Sequence, residues 1–269
     1  MKALRICCCL FLIMTMLTGC VATPKVSDEE TEFDSYSSQS STVTNGSDAM
    51  DYDSQLQIIA KNADVWIGDT ERIAEPFFYA VTDLDRNGRL EIIQSFRQGT
   101  GLYTCTQLWE VDINKSVLVP CQLSEYDDEE DSQPDIISDD PISVYFDEVN
   151  NCYYYIFSDI IRYSAGESRQ NLLSVSLQNG IVTTTLLAQS YSVASESGTD
   201  MTTTYKDANG NAIDENAFNI TADNTYADFT AMKSTIGWTD YSVSSQLSAM
   251  TKSEITGILK TSWEKFSLT

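Results

Sequence analysis

The sequence predicts an α+β fold, a mostly antiparallel β-sheet with flanking N- and C-terminal helices. Two observations carry this prediction. Apolar residues recur at helical spacing only near the two ends of the stretch from residue 53 to 269, and between them β-branched and aromatic runs alternate with turn residues. No repeat of fixed period is found, which weighs against a propeller or solenoid.

Taken in order, Leu56, Ile59, Ala60, Ala63, Trp66 and Ile67 place an amphipathic helix over 53–67. The period then changes. Strands are predicted at Phe77 to Thr82, Leu90 to Phe96, Tyr103 to Val111, Val117 to Leu123, Ile142 to Phe146, Tyr153 to Ile161, Leu172 to Leu177 and Ile181 to Gln189. Gln178-Asn179-Gly180 joins the last two as a tight hairpin, and Asn209-Gly210 marks another. Asp214 reads as the N-cap of a short helix through Phe218. Thr251 and Glu254 form a T-x-x-E capping box, followed on one face by Ile255, Ile258, Leu259, Ser262 and Phe266. Together these define one globular domain over 53–269.

The first 52 residues read differently. Lys2 and Arg5 precede an apolar run from Ile6 to Leu17, which is shorter than the roughly 20 residues a spanning helix needs. It ends Leu17-Thr18-Gly19-Cys20. This ending resembles the lipobox of bacterial lipoproteins. The resemblance implies a signal peptide over 1–19, a covalent lipid such as palmitate on Cys20, and an extracytoplasmic, cell-surface chain anchored to the membrane. Residues 20–52 are rich in Ser, Thr, Asp and Glu and poor in large apolar groups, the composition of an acidic disordered linker.

Charge and composition exclude several functions. The 269-residue chain carries a formal charge of −24, which becomes −26 when residues 1–19 take Lys2 and Arg5 with them. Such a surface repels phosphates, so nucleic acid is not an expected partner. There is no histidine, which removes Ser-His-Asp and Cys-His catalysis and His-ligated zinc. Of seven cysteines, Cys7, Cys8 and Cys9 lie in the signal and Cys20 in the lipobox, leaving Cys105, Cys121 and Cys152. Cys105 and Cys121 flank two predicted strands. Either they form a disulfide, which would stabilise by about 3 kcal/mol for a loop near 15 residues, or they stay as buried free thiols.

The sharpest constellation is Asp83-Leu84-Asp85-Arg86-Asn87-Gly88-Arg89-Leu90-Glu91. Side-chain oxygens at its first, third and fifth positions can converge if the chain curls, and Gly88 permits the positive φ of a sharp turn. The Arg89 carbonyl and the Glu91 carboxylate would complete an all-oxygen shell suited to Ca²⁺. The competing reading is an Asx-stabilised turn with no ion.

D-x-D-x-N-G resembles the first half of an EF-hand loop, but the twelfth position is Gln94 and the flanks read as strands. Residues 77–96 are more similar to the strand–loop–strand calcium loops of FG-GAP and VCBS repeats, in a single copy. The resemblance therefore implies the loop and not the propeller. The whole arrangement also resembles uncharacterised lipoproteins of anaerobic Gram-positive bacteria.

Weaker candidates complete the reading. The run Glu125 to Asp131 is a solvated acidic loop, with ion or partner docking as its other reading. Asp207-Ala208-Asn209-Gly210-Asn211 carries similar residues, but its glycine is misplaced for a calcium loop. Ser262-Trp263-Glu264-Lys265 matches S-x-x-K by spacing alone. Tyr153 to Phe157 offers either an aromatic platform or a strand covered by a helix. The expected function is a non-catalytic binding module for an extracellular protein or glycan, with a structural calcium loop. The alternatives are an accessory envelope lipoprotein without ligand and a carboxylate-dependent glycan hydrolase.

Overall fold

The computed structural model describes residues 48–67, 77–98, 103–124, 136–137, 141–195, 200–241 and 244–269. The lipobox, its Cys20 and the acidic run from Glu125 lie outside the described residues. Among the described residues strand accounts for 48% and helix for 23%, which is the predicted α+β class.

The chain opens with α1 (Asp48–Lys61) and α2 (Ala63–Ile67). The predicted 53–67 helix thus starts five residues earlier and breaks at Asn62. There the Asn62 N–H is shared between the Ile58 and Ile59 carbonyls while its side-chain amide bonds Ile58 O at 2.8 Å. Tyr52, assigned to the linker by composition, belongs to α1. Its ring lies 4.9 Å from that of Trp263.

Next come β1 (Phe77–Thr82), β2 (Glu91–Gln98) and β3 (Tyr103–Val111), consecutive antiparallel neighbours. The predicted strand at 117–123 divides into β4 (Leu118–Pro120) and β5 (Gln122–Leu123). β4 pairs with β3, but after Cys121 the chain crosses over, and the Gln122 N–H donates to Gly180 O at 2.8 Å. Then follow β6 (Ile142–Asp147), β7 (Cys152–Ser164), β8 (Glu167–Gln178) and β9 (Ile181–Ala194). Asn179 at φ 53 and Gly180 at φ 74 make the two-residue β8–β9 turn, the primed geometry that matches strand twist. β10 (Met201–Asp207) and β11 (Ala212–Ile213) pair across Asn209-Gly210. α3 (Glu215–Asn219) is capped by Asp214, as predicted, and α4 (Thr221–Thr225) follows. The remainder is β12 (Thr230–Thr235), β13 (Thr239–Tyr241), α5 (Ser244–Ser248), α6 (Lys252–Trp263) with its capping box intact, and β14 (Ser267–Leu268).

The strands form two sheets, one ordered β13-β1-β2-β3-β4 and the other β11-β10-β9-β8-β7-β6-β12-β14. β5 lies against β9 in the only parallel pairing among the described strands. Alternation along each strand sends neighbouring side chains to opposite faces and so builds separate cores. Tyr79, Val81, Ile92 and Trp109 meet Leu56, Ile59, Trp66, Ile255 and Leu259 of the helices. Ala80, Ile93 and Leu108 point the other way, against Val144, Tyr155, Phe157, Val175 and Leu177 of the larger sheet. The far face of that sheet buries Tyr145 and Leu187 under Ala222 and Tyr226. The order of layers is therefore helices, first sheet, second sheet and the α4 cap.

This layering settles the weaker candidates. Tyr154 stacks on Tyr226 at 4.9 Å and Tyr155 is buried between the sheets, so the Tyr153–Phe157 strand is covered on both faces there. Ser262 is fully buried, and its hydroxyl accepts from Val81 N at 3.0 Å, so the S-x-x-K serine is a packing contact. Asp207 caps its hairpin by accepting from Asn209 N and Asn211 N, an Asx turn as its spacing implies. Cys121 and Cys152 are free thiols. Cys121 N bonds Leu108 O, which lies three residues from Cys105 along β3, too far for the roughly 7 Å Cα limit of a disulfide.

Candidate metal centre

Asp83 to Leu90 connects β1 to β2 at the rim of the gap between the two sheets. Arg86 at φ 56 and Gly88 at φ 80 supply the two left-handed positions that curl the loop. Leu84, only 4% exposed, plugs the inter-sheet core, and its carbonyl accepts from the Tyr155 hydroxyl at 2.7 Å. Gln55 of α1 clamps the other end. Its amide donates to Gly88 O at 2.9 Å and accepts from Leu90 N at 2.8 Å.

The curled loop gathers Asp83, Asp85 and Glu91, whose nearest oxygens all lie within 4.8 Å of one another. Opposite ligands on a Ca²⁺ ion at 2.3–2.6 Å are separated by up to about 5 Å, so the cluster fits around one such cation. Asp83 is 2% exposed, Asp85 8% and Glu91 0%. Glu91 sits on β2 between Thr82 and Glu110 in the pairing register. Its Oε2 accepts from the Thr82 hydroxyl at 2.9 Å and from Leu84 N at 2.8 Å, while its Oε1 is buried with no hydrogen-bond partner. Asp83 Oδ2 accepts from Gly88 N at 3.3 Å, and its Oδ1 is likewise buried without a partner. Two unmatched, acceptor-only oxygens inside one acidic cluster are costly in the ionised state. A divalent cation would supply the missing partner.

Burial, reinforced by neighbouring acids, shows in the acidities. Desolvation lifts Asp83 to about 6, against the pull of Arg86. It raises Asp85 against the Asn87 N–H, and it holds Glu91 well above the usual carboxylate range, with the charges of Asp83 and Asp85 adding to the rise.

Of the five residues named from sequence, the three carboxylates converge, and the side chains of Asn87 and Arg89 both reach Glu110. The Asn87 amide donates to Asp85 Oδ2 and to Glu110 Oε1, both at 2.8 Å, and its Oδ1 accepts from Arg89 N. Two carboxylates fix that amide's orientation, so Asn87 braces the loop instead of turning its oxygen to the cluster. The Arg89 guanidinium pairs with Glu110 Oε2 at 2.8 Å. Sequence reasoning missed both Glu110 and Gln55. Glu110 is 1% exposed, and desolvation raises its pKa. The one signal for it was its own strand alternation, which puts it on the inter-sheet face with Leu108.

Compared with protein-family models, with curated proteins and with solved structures, the chain finds no match in any of the three.

Proposed function

We propose that the chain is a membrane-anchored extracytoplasmic lipoprotein whose folded part is a non-catalytic binding module, stapled by calcium at Asp83, Asp85 and Glu91. One observation carries the calcium half. Three carboxylates share one buried cluster, and Asp83 Oδ1 and Glu91 Oε1 have no hydrogen-bond partner. An all-oxygen donor set of high negative charge suits a hard cation that tolerates irregular geometry, which favours Ca²⁺ over Mg²⁺. Cys121 lies nearby, but burial and the surrounding carboxylates keep its thiol protonated, so it offers no thiolate to a softer metal. The cluster supports a staple over a hydrolase centre. Its carboxylates crowd around one point, whereas glycosidases set two across a cleft, about 5 to 10 Å apart.

The anchoring half rests on Lys2, Arg5, the apolar run and Leu17-Thr18-Gly19-Cys20. The two halves agree in compartment, because millimolar calcium outside the cell fills sites with constants of roughly 10⁻⁴–10⁻³ M. At 1 mM calcium and a constant of about 10⁻⁴ M, linkage stabilises the fold by about 1.4 kcal/mol. That raises Tm by about 3–5 °C for a domain of this size. The test compares melting in EDTA and in 1–10 mM CaCl₂ for the natural chain and for Asp83→Ala with Asp85→Ala. A calcium-dependent rise confined to the natural chain is expected; equal melting in EDTA and calcium overturns the reading.

A further inference from the structure

Four loops meet at the end of the sheets that carries the acidic cluster: β1–β2, β3–β4, β6–β7 and β8–β9. They enclose a cleft of about 640 Å³, within the range of small-ligand sites. Its walls carry five side-chain amides, from Asn87, Asn150, Asn151, Gln178 and Asn179, with Asp85 at the inner edge. Ile113 is the one large apolar lining group, and there is no aromatic ring. Its two cations are Arg89, which pairs with Glu110, and Lys115.

We infer that this cleft binds a neutral, polyhydroxylated ligand, a glycan. This deepens the binding-module reading above and rests on it. A side-chain amide carries both a donor and an acceptor without charge, the complement of adjacent sugar hydroxyls. An extended peptide would instead ask for apolar side-chain pockets or an open sheet edge, and the lining supplies one isoleucine. Anionic glycans are disfavoured by a chain of net charge −24. Asn150 and Gln178 are prearranged. The Asn150 amide donates to Asp147 Oδ2 at 2.6 Å, and Gln178 Nε2 donates to Asn150 O at 3.3 Å. Asn151 and Asn179 stand at φ 49 and 53, and their side chains have no hydrogen bond among the described residues. The loop from Asp85 to Arg89 forms one wall, so an ion on Asp85 orders the surface the sugar meets. By reciprocity, sugar and calcium strengthen each other's binding.

The positive φ values give a clean test, because glycine adopts them without strain. Asn151→Gly with Asn179→Gly removes two amides and keeps both turns. The full chain is titrated with neutral oligosaccharides (maltotriose, cellotriose, chitotriose), an anionic oligogalacturonate and a neutral tetrapeptide, in calcium and in EDTA, with amide NMR shifts and Tm as readouts. The expected result is millimolar binding of at least one neutral sugar that shifts residues 150–151 and 178–179. The double variant should bind it about tenfold more weakly, the loss of two neutral hydrogen bonds, while keeping the calcium effect on Tm. No neutral sugar binding while calcium still raises Tm overturns the inference, as does unchanged affinity in the double variant or a preference for the peptide or the anion. Sugar binding that persists in EDTA, with Tm indifferent to calcium, supports the cleft and overturns the staple, so the two readings fail separately.

Discussion

Without an ion, acidification from neutral pH should stabilise this protein, the reverse of ordinary acid denaturation. The reason lies in Asp83. Its pKa is about 6 in the folded chain against 3.8 when unfolded, because burial disfavours its charge. The folded state then holds the proton more tightly than the unfolded one, and stability falls as pH rises through this window. The contribution is fully present below about pH 3.8 and lost above about pH 6. At 1.36 kcal/mol per unit the whole effect is about 3 kcal/mol, of which about 1.4 kcal/mol is recovered between pH 7 and pH 5. Glu91, held well above the usual carboxylate range by burial, adds in the same direction. The opposing carboxylates do not interfere in this range. Asp112, Asp147, Asp207 and Glu254 are lowered by hydrogen bonds, so they lose their contribution only in stronger acid. The assay is urea unfolding in EDTA at half-unit steps from pH 7.5 to 5, on the natural chain and on Asp83→Asn. The natural chain should gain about 1.4 kcal/mol relative to the variant. In saturating calcium the sign reverses, because protons must then displace the ion. A natural chain that loses stability steadily with acid in EDTA, in parallel with Asp83→Asn, would rule out a buried Asp83 as the source of the effect.

Three further outcomes are expected. Gln55→Ala leaves the buried Leu90 N–H without its acceptor and costs about 2 kcal/mol by urea unfolding, with calcium affinity falling too; an unchanged midpoint would show the clamp to be idle. Ser262→Ala strips Val81 N of its partner and costs about 1–2 kcal/mol, while Lys265→Ala stays within about 0.5 kcal/mol on the exposed surface; equal effects would contradict a purely packing role for Ser262. Alkylation without reductant should label Cys121 and Cys152 fully on denaturation, read by mass, and a chain that resists labelling at Cys121 would contradict its free thiol.

The loop was legible because its information is local. Asp83 to Glu91 encodes the curl, the glycine and three acids within nine residues. What was not legible came from distant chain. Gln55 reaches the loop from 33 and 35 residues away, and Glu110 from 23. Only the β2–β3 pairing sets Glu110 opposite Glu91, where it accepts from the Asn87 amide. Strong alternation made β1, β3 and β6 to β9 readable, and the capping box made α6 readable. β10 escaped because its Thr-rich run holds only Met201 and Tyr205 as large apolar groups. The switch at Cys121 escaped because Val117 to Leu123 reads as one run, although its two halves join different sheets.

Calorimetric titration of CaCl₂ into the chelator-treated full chain reads calcium binding at Asp83, Asp85 and Glu91 without an intermediary. One ion per chain with a constant of roughly 10⁻⁴–10⁻³ M is expected, abolished in Asp83→Ala with Asp85→Ala. No heat of binding up to 10 mM calcium, or binding unchanged in that double variant, would contradict it.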